Sequence, residues 1–302
     1  MKPILIIGLK GQVAWELHRC LLPFGKIVTL GRASNPPLDL ARPDTFIPIM
    51  RQINPRLIVN AAAYTAVDKA EEEYELAEKI NAIAPGILSE EAKKLGAGLI
   101  HYSTDYVFAG DANRPYREHD PLAPQCVYGH SKLAGEEAIR ASGADHWILR
   151  TAWVYGARGN NFLLTMLRLM RERERIGVVA DQTGSPTWSR LIAQVTAQML
   201  AHVRLELHEN PGTYHLTCLG ETSWYGFASD IRNQAIACGL LPQSAAMVEP
   251  IATTDYPTPA RRPAYSVLDT LHLTETFRIR PPHWKQALAL CLEDLASCKQ
   301  PF

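Results

Sequence analysis

PILIIGLKGQVAWELH, at residues 3–18, is the segment from which the fold class follows. An apolar run leads into Gly8, a second glycine follows at Gly11, and the residues after it have the spacing of an amphipathic helix. Glycine is needed where a strand turns sharply into a helix and where backbone N–H groups approach a pyrophosphate. The pattern GxxGxxA therefore predicts a dinucleotide-binding turn that includes Gln12 and Val13. An ordinary strand-to-helix turn is the alternative.

The same alternation of strand and helix continues through the first half of the chain. Apolar runs occur at PILIIG (3–8), KIVTL (26–30), RLIVNAA (56–62), GLIHYSTDYVF (98–108) and HWILRTAWVYG (146–156), and each is followed by a segment of helical spacing. This order predicts an α/β fold with a Rossmann-like, doubly wound parallel sheet and a smaller carboxyl-terminal substrate lobe. Ligands of such sheets bind at the carboxyl ends of the strands.

The pattern changes beyond about residue 155. We expect a helix at about residues 161–175, a short strand at GVVA (177–180), a helix from about Thr187 and a proline-rich tract at 252–263. Residues 1–155 are therefore assigned to a dinucleotide-binding domain. Residues 156–302 are assigned mainly to a substrate-binding lobe, with some segments returning to the first domain.

Composition excludes several classes of partner. The chain has 302 residues, with 31 basic and 31 acidic side chains, so it has no overall field to attract nucleic acid or an anionic membrane. No apolar run reaches the length of a bilayer span and no charged leader is present, so we expect a cytoplasmic protein. The cysteines have no CxxC spacing and the histidines no HExxH spacing. Buried free thiols are expected at Cys20, Cys126, Cys218, Cys238, Cys291 and Cys298.

The residue after the second predicted strand bears on the choice of cofactor. Arg32 follows Gly31, where a carboxylate would bind a ribose 2′-hydroxyl. Because an arginine there can bind a 2′-phosphate, the sequence favours NADPH over NADH. The alternative is that Arg32 is a solvated loop residue.

VYGHSKLAGE, at residues 127–136, places Tyr128 four residues before Lys132. On a helix the two side chains lie on one face, and an ammonium beside a phenol is expected to lower its pKa and make it a usable acid or base. Thr104 ends the fourth predicted strand and could polarise a carbonyl that Tyr128 protonates. A chance pairing of tyrosine and lysine is the alternative.

Several motifs together carry a family resemblance. GxxGQ at the start, NAAAYTAVDKAE (60–71), HYSTDYVF (101–108), VYGHSKLAGE and RTAWVYG (150–156) resemble the extended short-chain dehydrogenase/reductases. NNF (160–162), DQTGSPT (181–187) and YPTPARRP (256–263) are similar to the dTDP-4-dehydrorhamnose reductases within them. The resemblance covers nearly the whole chain.

The resemblance implies reduction of the C4 ketone of dTDP-4-dehydro-L-rhamnose to dTDP-L-rhamnose, the last step of dTDP-rhamnose synthesis. It implies that Tyr128 donates the proton, that Lys132 tunes the phenol and holds the nicotinamide ribose, and that Thr104 bonds the carbonyl oxygen. The expected cofactor residues are Gly8, Gly11, Gln12, Val13, Arg32, Asp39, Leu40, Ala62, Ala63, Thr65, Tyr102, Tyr128 and Lys132. The expected substrate residues are Thr104, Asp105, Tyr106, Trp153, Asn160, Asn161, Arg261 and Arg262.

The positive charge of two of these residues also favours a role in substrate binding. Arg261 and Arg262, between prolines, offer a charge-assisted clamp for a diphosphate, with the amides of Asn160 and Asn161 beside it. Alternatively, both arginines are structural and pair with carboxylates of the other lobe.

The chain departs from the family at one position that matters for metal binding. Some members bridge a dimer with magnesium held by glutamates, and the matching positions here are Glu16 and Glu293, with Arg190 in place of the middle glutamate. An arginine repels a divalent cation, so we expect no metal site, salt bridges from Arg190 to Glu16 or Glu293, and a monomer or weak homodimer. Ala14 replaces the usual third glycine, and its methyl group is small enough for the turn.

Two other functions remain open. A sugar-nucleotide epimerase, or another 4-keto sugar reductase, would use the same scaffold. A regulatory subunit that binds the nucleotide without catalysis would not need Thr104, Tyr128 and Lys132 together.

Overall fold

This computed structural model describes residues 2–202 and 210–297. Its main sheet has six parallel strands, of which five come from the amino-terminal half of the chain. Its strands are β1 (Ile4–Ile7), β2 (Ile27–Leu30), β3 (Leu57–Asn60), β4 (Gly98–Thr104), β5 (His146–Thr151) and, numbered by its place in the chain, β10 (Gly212–His215). Their order is β10-β5-β4-β3-β1-β2. The predicted parallel α/β fold and the five predicted strands are confirmed.

Alternate residues of β1, β3, β4 and β5 enter two cores. Ile4 and Ile6 of β1 pack into one hydrophobic cluster, whereas Leu5 and Ile7 pack into another. All four are at most 1% exposed, as the two-residue period of a doubly covered strand requires. The sheet is therefore buried on both faces, and its carboxyl edge remains for ligands.

Helices cover both faces. The helices are α1 (Gln12–Cys20), α2 (Pro43–Ile53), α3 (Val67–Ala70), α4 (Tyr74–Glu78), α5 (Ala84–Leu95), α6 (Val127–Ser142), α7 (Phe162–Glu172), α8 (Ser189–His202), α9 (Trp224–Ala237), α10 (Leu271–Phe277) and α11 (Trp284–Ser297). A π-helical segment at Lys79–Ile83 joins α4 to α5. Leu17 of α1 and Ile192 of α8 lie in the first core, whereas Met50 of α2 and Leu88 of α5 lie in the second.

Short strands shape the carboxyl-terminal part. They are β6 (Val154–Tyr155), β7 (Arg175–Val179), β8 (Thr183–Gly184), β9 (Thr187–Trp188), β11 (Thr222–Ser223) and β12 (Met247–Ile251). The predicted strand at GVVA is confirmed as β7, which begins two residues earlier, ends at Val179 and pairs with β12. The predicted helix at 161–175 ends earlier, at Glu172, because Arg175 already begins β7. The division of the chain at residue 155 stays a prediction.

The cysteines in the described ranges are free. Cys126, Cys218 and Cys291 are buried as predicted, whereas Cys20 and Cys238 are only partly buried. Cys298 lies outside the described residues. Within residues 2–202 and 210–297, no helix combines the length and apolar character needed to cross a membrane.

Candidate active site

The carboxyl ends of four neighbouring strands border one cleft. Ile7 of β1 pairs with Asn60 of β3, Asn60 pairs with His101 of β4, and Thr104 at the end of β4 pairs with Thr151 of β5. In the sheet β1 lies between β2 and β3, so the chain adds β2 on one side of β1 and then crosses over to add β3 on the other side. The cleft, about 580 Å³ in volume, lies at this change of direction, where doubly wound sheets bind their ligands.

All predicted cofactor residues line this cleft. They are Gly8, Gly11, Gln12, Val13, Arg32, Asp39, Leu40, Ala62, Ala63, Thr65, Tyr102, Tyr128 and Lys132, and predicted substrate residue Asn160 lies with them. The sequence interpretation missed Asn60, Ser103 and Thr151, which line the same cleft. Their position at predicted strand ends was the available signal.

The glycine turn has the geometry of a close backbone approach. Gly8 has a φ of +127°, which side chains rarely adopt, and a Cβ there would lie 3.2 Å from the Cβ of Ala14 and 3.2 Å from the backbone of Ala61. At Gly11, by contrast, a Cβ would meet only the Ala61 carbonyl, at 3.9 Å. The packing of the chain therefore requires glycine at position 8, whereas Gly11 leaves open space toward the cleft.

The catalytic candidates come together where β4 meets α6. Cys126 caps α6, so that Tyr128 in its first turn and Lys132 one turn later both line the cleft. The Thr104 hydroxyl donates to Asp105 Oδ1 at 3.0 Å and accepts from the Tyr106 backbone N–H at 3.2 Å. The ring of Tyr106 packs edge-on against that of Tyr128, with centroids 5.6 Å apart.

The expected lowering of the Tyr128 pKa by Lys132 is wrong for this structure. Burial raises the pKa of Tyr128 above its ordinary value, and the neighbouring Thr104 hydroxyl opposes this only in part. Lys132 Nζ instead donates to the Tyr102 carbonyl at 2.7 Å and lies 2.9 Å from His101 Nε2. Burial lowers the pKa of Lys132 to about 8, against an opposing effect of Glu136. The ammonium is thus held by the strand as well as facing the cleft.

Asp105 is buried beside the cluster with spare hydrogen-bonding capacity. Its Oδ2 atom is buried and has no hydrogen-bond partner in the part of the chain that the structure describes. Burial raises the pKa of Asp105 to about 6. A buried carboxylate oxygen of this kind is suited to accept a hydrogen bond from a ligand hydroxyl.

Arg262 binds side chains of the amino-terminal half of the chain. Its guanidinium donates to Asp68 at 2.6 Å and to the Tyr106 hydroxyl at 3.0 Å. Arg261 is exposed and donates to Gln125 at 3.2 Å. The ion pair of Arg262 with Asp68 matches the structural alternative that the sequence left open. The hydrogen bond of Arg262 to Tyr106 also holds the ring that packs on Tyr128.

Of the predicted substrate residues, only Asn160 belongs to the cleft lining, and the others lie outside it: Thr104, Asp105, Tyr106, Trp153, Asn161, Arg261 and Arg262. Asn161 caps α7 through Leu164 N, and its amide donates to the Gly156 carbonyl at 2.9 Å, so it orders the loop before α7. Trp153 has a φ of +48° and stacks on Trp224, with ring centroids 3.5 Å apart. Trp224 was missed from the sequence, since no spacing relates the two tryptophans.

Arg190 joins three helices. Its Nε atom lies 3.3 Å from Glu16 Oε2 in α1, and its Nη1 atom pairs with Asp294 in α11. The predicted pairing with Glu16 is confirmed, but the carboxyl-terminal partner is Asp294 and not Glu293, because the register of α11 turns Asp294 toward α8. In the described residues, no group of three or more histidine, cysteine or acidic side chains is placed to hold a metal ion.

The fold, the cleft at the change of strand direction and the cluster of threonine, tyrosine and lysine define a short-chain dehydrogenase/reductase. The model of the RmlD substrate binding domain matches residues 1–297. The chain belongs to that family.

Proteins similar to this chain cover almost all of it. A dTDP-4-dehydrorhamnose reductase of Burkholderia thailandensis is 47% identical over 97% of this chain and 99% of its own length. One of Escherichia coli K12 is 43% identical over 97% of both chains. A solved dTDP-4-dehydrorhamnose reductase of Bacillus anthracis in complex with NADP has a TM-score of 0.87 and 34% identity, covering 97% of this chain and 99% of that one.

Proposed function

We propose that this protein reduces the C4 ketone of dTDP-4-dehydro-L-rhamnose with NADPH and releases dTDP-L-rhamnose. The observation that carries the proposal is that Tyr128 and Lys132 line one cleft at the carboxyl edge of the sheet, beside the end of β4 where Thr104 lies. The full-length similarity to dTDP-4-dehydrorhamnose reductases supports the choice of substrate.

The cleft fits a nicotinamide dinucleotide. Open space beside Gly11, at the start of α1, lets the backbone amides of the turn approach a pyrophosphate. Arg32 is exposed at the far end of the same cleft, where a 2′-phosphate would be met by its guanidinium. The bound cofactor supplies the hydride.

The protein's own residues supply the proton. Because burial raises the pKa of Tyr128, the phenol stays protonated at neutral pH and is ready to donate to the developing alkoxide. The Thr104 hydroxyl donates its one proton to Asp105 Oδ1. To bond the ketone oxygen, it would turn that proton from the carboxylate to the substrate. Lys132 is fixed to the Tyr102 carbonyl and contributes its charge at the cleft wall.

The sugar and diphosphate are assigned to the residues beyond this cluster. Asp105 Oδ2 is available to accept a hydrogen bond from a sugar hydroxyl. Trp153, in its stack with Trp224, offers an apolar face of the kind that sugars pack against. We assign the diphosphate to the Arg261 side chain and to Asn160 in the cleft lining. Arg262, Tyr106 and Asn161 then act by ordering these surroundings.

Arg190 also bears on assembly. A guanidinium between Glu16 and Asp294 neutralises the carboxylates that a bridging metal would need. We therefore propose a monomer or weak homodimer that does not depend on magnesium. Mass measurement in solution across a magnesium titration tests this, and a dimer that forms only with magnesium would contradict it. Location in the cytoplasm and the absence of nucleic-acid and membrane partners stay predictions.

The direct test is an absorbance assay of the reduced nicotinamide. Purified protein is mixed with dTDP-4-dehydrorhamnose and NADPH, and in parallel with NADH. We expect consumption matched to formation of dTDP-rhamnose, with a higher kcat/KM for NADPH. Binding of NADPH without turnover of this substrate would instead favour another sugar substrate or a regulatory subunit.

A further inference from the structure

A buried chain of polar side chains continues inward from Lys132. His101 lies in the middle of β4 and is 1% exposed. Its Nε2 atom is 2.9 Å from Lys132 Nζ, and its Nδ1 atom is 3.0 Å from Asn60 Nδ2 in β3. Asn60 is likewise 1% exposed. The mechanism described above uses neither His101 nor Asn60.

The backbone fixes the direction of the hydrogen bonds. The amide N–H of Ala62 can only donate, and it lies 3.2 Å from Asn60 Oδ1. The Asn60 carbonyl oxygen is therefore committed to Ala62, and its NH₂ group is the group that faces His101. Nδ1 of His101 must then accept, so a neutral imidazole carries its proton on Nε2.

His101 is neutral because burial lowers its pKa well below the ordinary value, with the charge of Lys132 acting in the same direction. Its Nε2–H group then faces Lys132 Nζ. An ammonium has no lone pair to accept this bond, whereas a neutral amine has one and still donates to the Tyr102 carbonyl. The donors and acceptors that link Asn60, His101 and Lys132 are all satisfied only when Lys132 is neutral.

We propose that Asn60 and His101 are positioning residues whose hydrogen-bond direction favours the neutral form of Lys132 and so sets the upper pH limit of the reaction. The catalytic meaning rests on the proposed function, since it requires the charge that Lys132 contributes at the cleft wall to support the reduction. When Lys132 is charged, the His101 Nε2–H group and the Lys132 ammonium are two donors in contact, which has an energetic cost.

Other groups around Lys132 act in the opposite direction or are already paired. Glu136, one turn along α6, favours the charged lysine. Its carboxylate is held by Arg150 at 2.7 Å, Arg140 at 3.2 Å and Ser103 at 2.6 Å. The phenol of Tyr128 faces the same cleft. Asn60 and His101 therefore work against Glu136.

Substitution of Asn60 by aspartate should reverse the direction of the hydrogen bonds that link residue 60, His101 and Lys132. The introduced carboxylate can accept from both the Ala62 amide and His101 Nδ1–H, which leaves Nε2 free to accept from an ammonium. We expect the midpoint of the Lys132 titration to rise by about one pH unit or more in Asn60→Asp. The upper pH limit of kcat should rise with it.

The test is ¹⁵N NMR of the ligand-free protein labelled at histidine, with the His101 signals assigned by their loss in His101→Phe. In the wild type we expect His101 to be the Nε2–H tautomer above the pH at which Lys132 loses its proton. In Asn60→Asp we expect His101 to be the Nδ1–H tautomer at every pH. An Nδ1–H tautomer in the wild type at high pH overturns the proposal, as does an unchanged Lys132 titration in Asn60→Asp. If that variant does not fold, the wild-type tautomer decides alone. No substrate is used, so failure here is distinct from failure of the proposed reduction.

Discussion

Replacement of Glu136 by glutamine should destabilise the protein far more than loss of an exposed ion pair. Glu136 and Arg150 have side chains 0% and 2% exposed, and Arg150 donates to the carboxylate at 3.0 and 2.7 Å. Burial acts to raise the pKa of Glu136, but the hydrogen bonds and charge of Arg150 outweigh it and hold the pKa below its ordinary value. Glu136→Gln leaves the buried guanidinium without a counter-charge, which costs about 3–5 kcal/mol.

This cost converts to a melting temperature. About 2.1 cal/mol/K per residue over 302 residues gives an unfolding entropy of about 0.6 kcal/mol/K. Tm should therefore fall by about 5–8 °C at neutral pH. Because the folded pKa of Glu136 is lowered, its contribution is present above the ordinary carboxyl pKa and is lost as pH falls through the lowered value. The difference in Tm should accordingly shrink in acid.

The matched control is Glu172→Gln. Glu172 pairs with Arg168 at 2.8 Å on the surface of α7, with side chains 52% and 60% exposed. Exposed pairs contribute about 0–1 kcal/mol, so Tm should change by no more than about 2 °C. Calorimetry of both variants checks the reasoning. Equal changes in Tm would refute the claim that burial makes the Glu136 pair important.

Three further predictions concern the cofactor, the proton donor and helix packing. Tyr128→Phe should still bind NADPH, by fluorescence titration, but lose about 10²–10⁴-fold in kcat because it removes the proton donor; undiminished kcat would exclude that role. Arg32→Ala should raise KM for NADPH and leave KM for NADH unchanged, since only NADPH carries the 2′-phosphate; equal effects on both would contradict the assignment. Gly135→Ala should lower stability by about 1–3 kcal/mol in urea unfolding, because its Cβ would overlap the Asn81 carbonyl; unchanged stability would contradict this packing.

The sequence was most informative where periodicity and turn chemistry act locally. The strands β1 to β5 are apolar runs, each of which was predicted; β1 and β2 are followed by glycine, and β3, β4 and β5 end in asparagine or threonine. β10 was missed because GTYH is short and partly polar, and its partner β5 lies more than sixty residues earlier in the chain. Only the three-dimensional pairing identifies it as a strand.

The site shows the same division. The cofactor residues lie at strand ends and in a glycine turn, so their order along the chain predicts that they share a cleft. The direction of the Lys132 ammonium depends on His101 and on the Tyr102 carbonyl, which the four-residue spacing from Tyr128 does not reveal. The choice of Asp294 over Glu293 depends on the register of α11 in the same way.

The most direct measurement is the fate of the hydride. NADPH carrying deuterium at the transferred position of C4 of its nicotinamide is incubated with dTDP-4-dehydrorhamnose and the protein, and the product is examined by NMR and mass spectrometry. We expect one deuterium at C4 of the rhamnose ring. A product without deuterium, or with deuterium at another carbon, would contradict it.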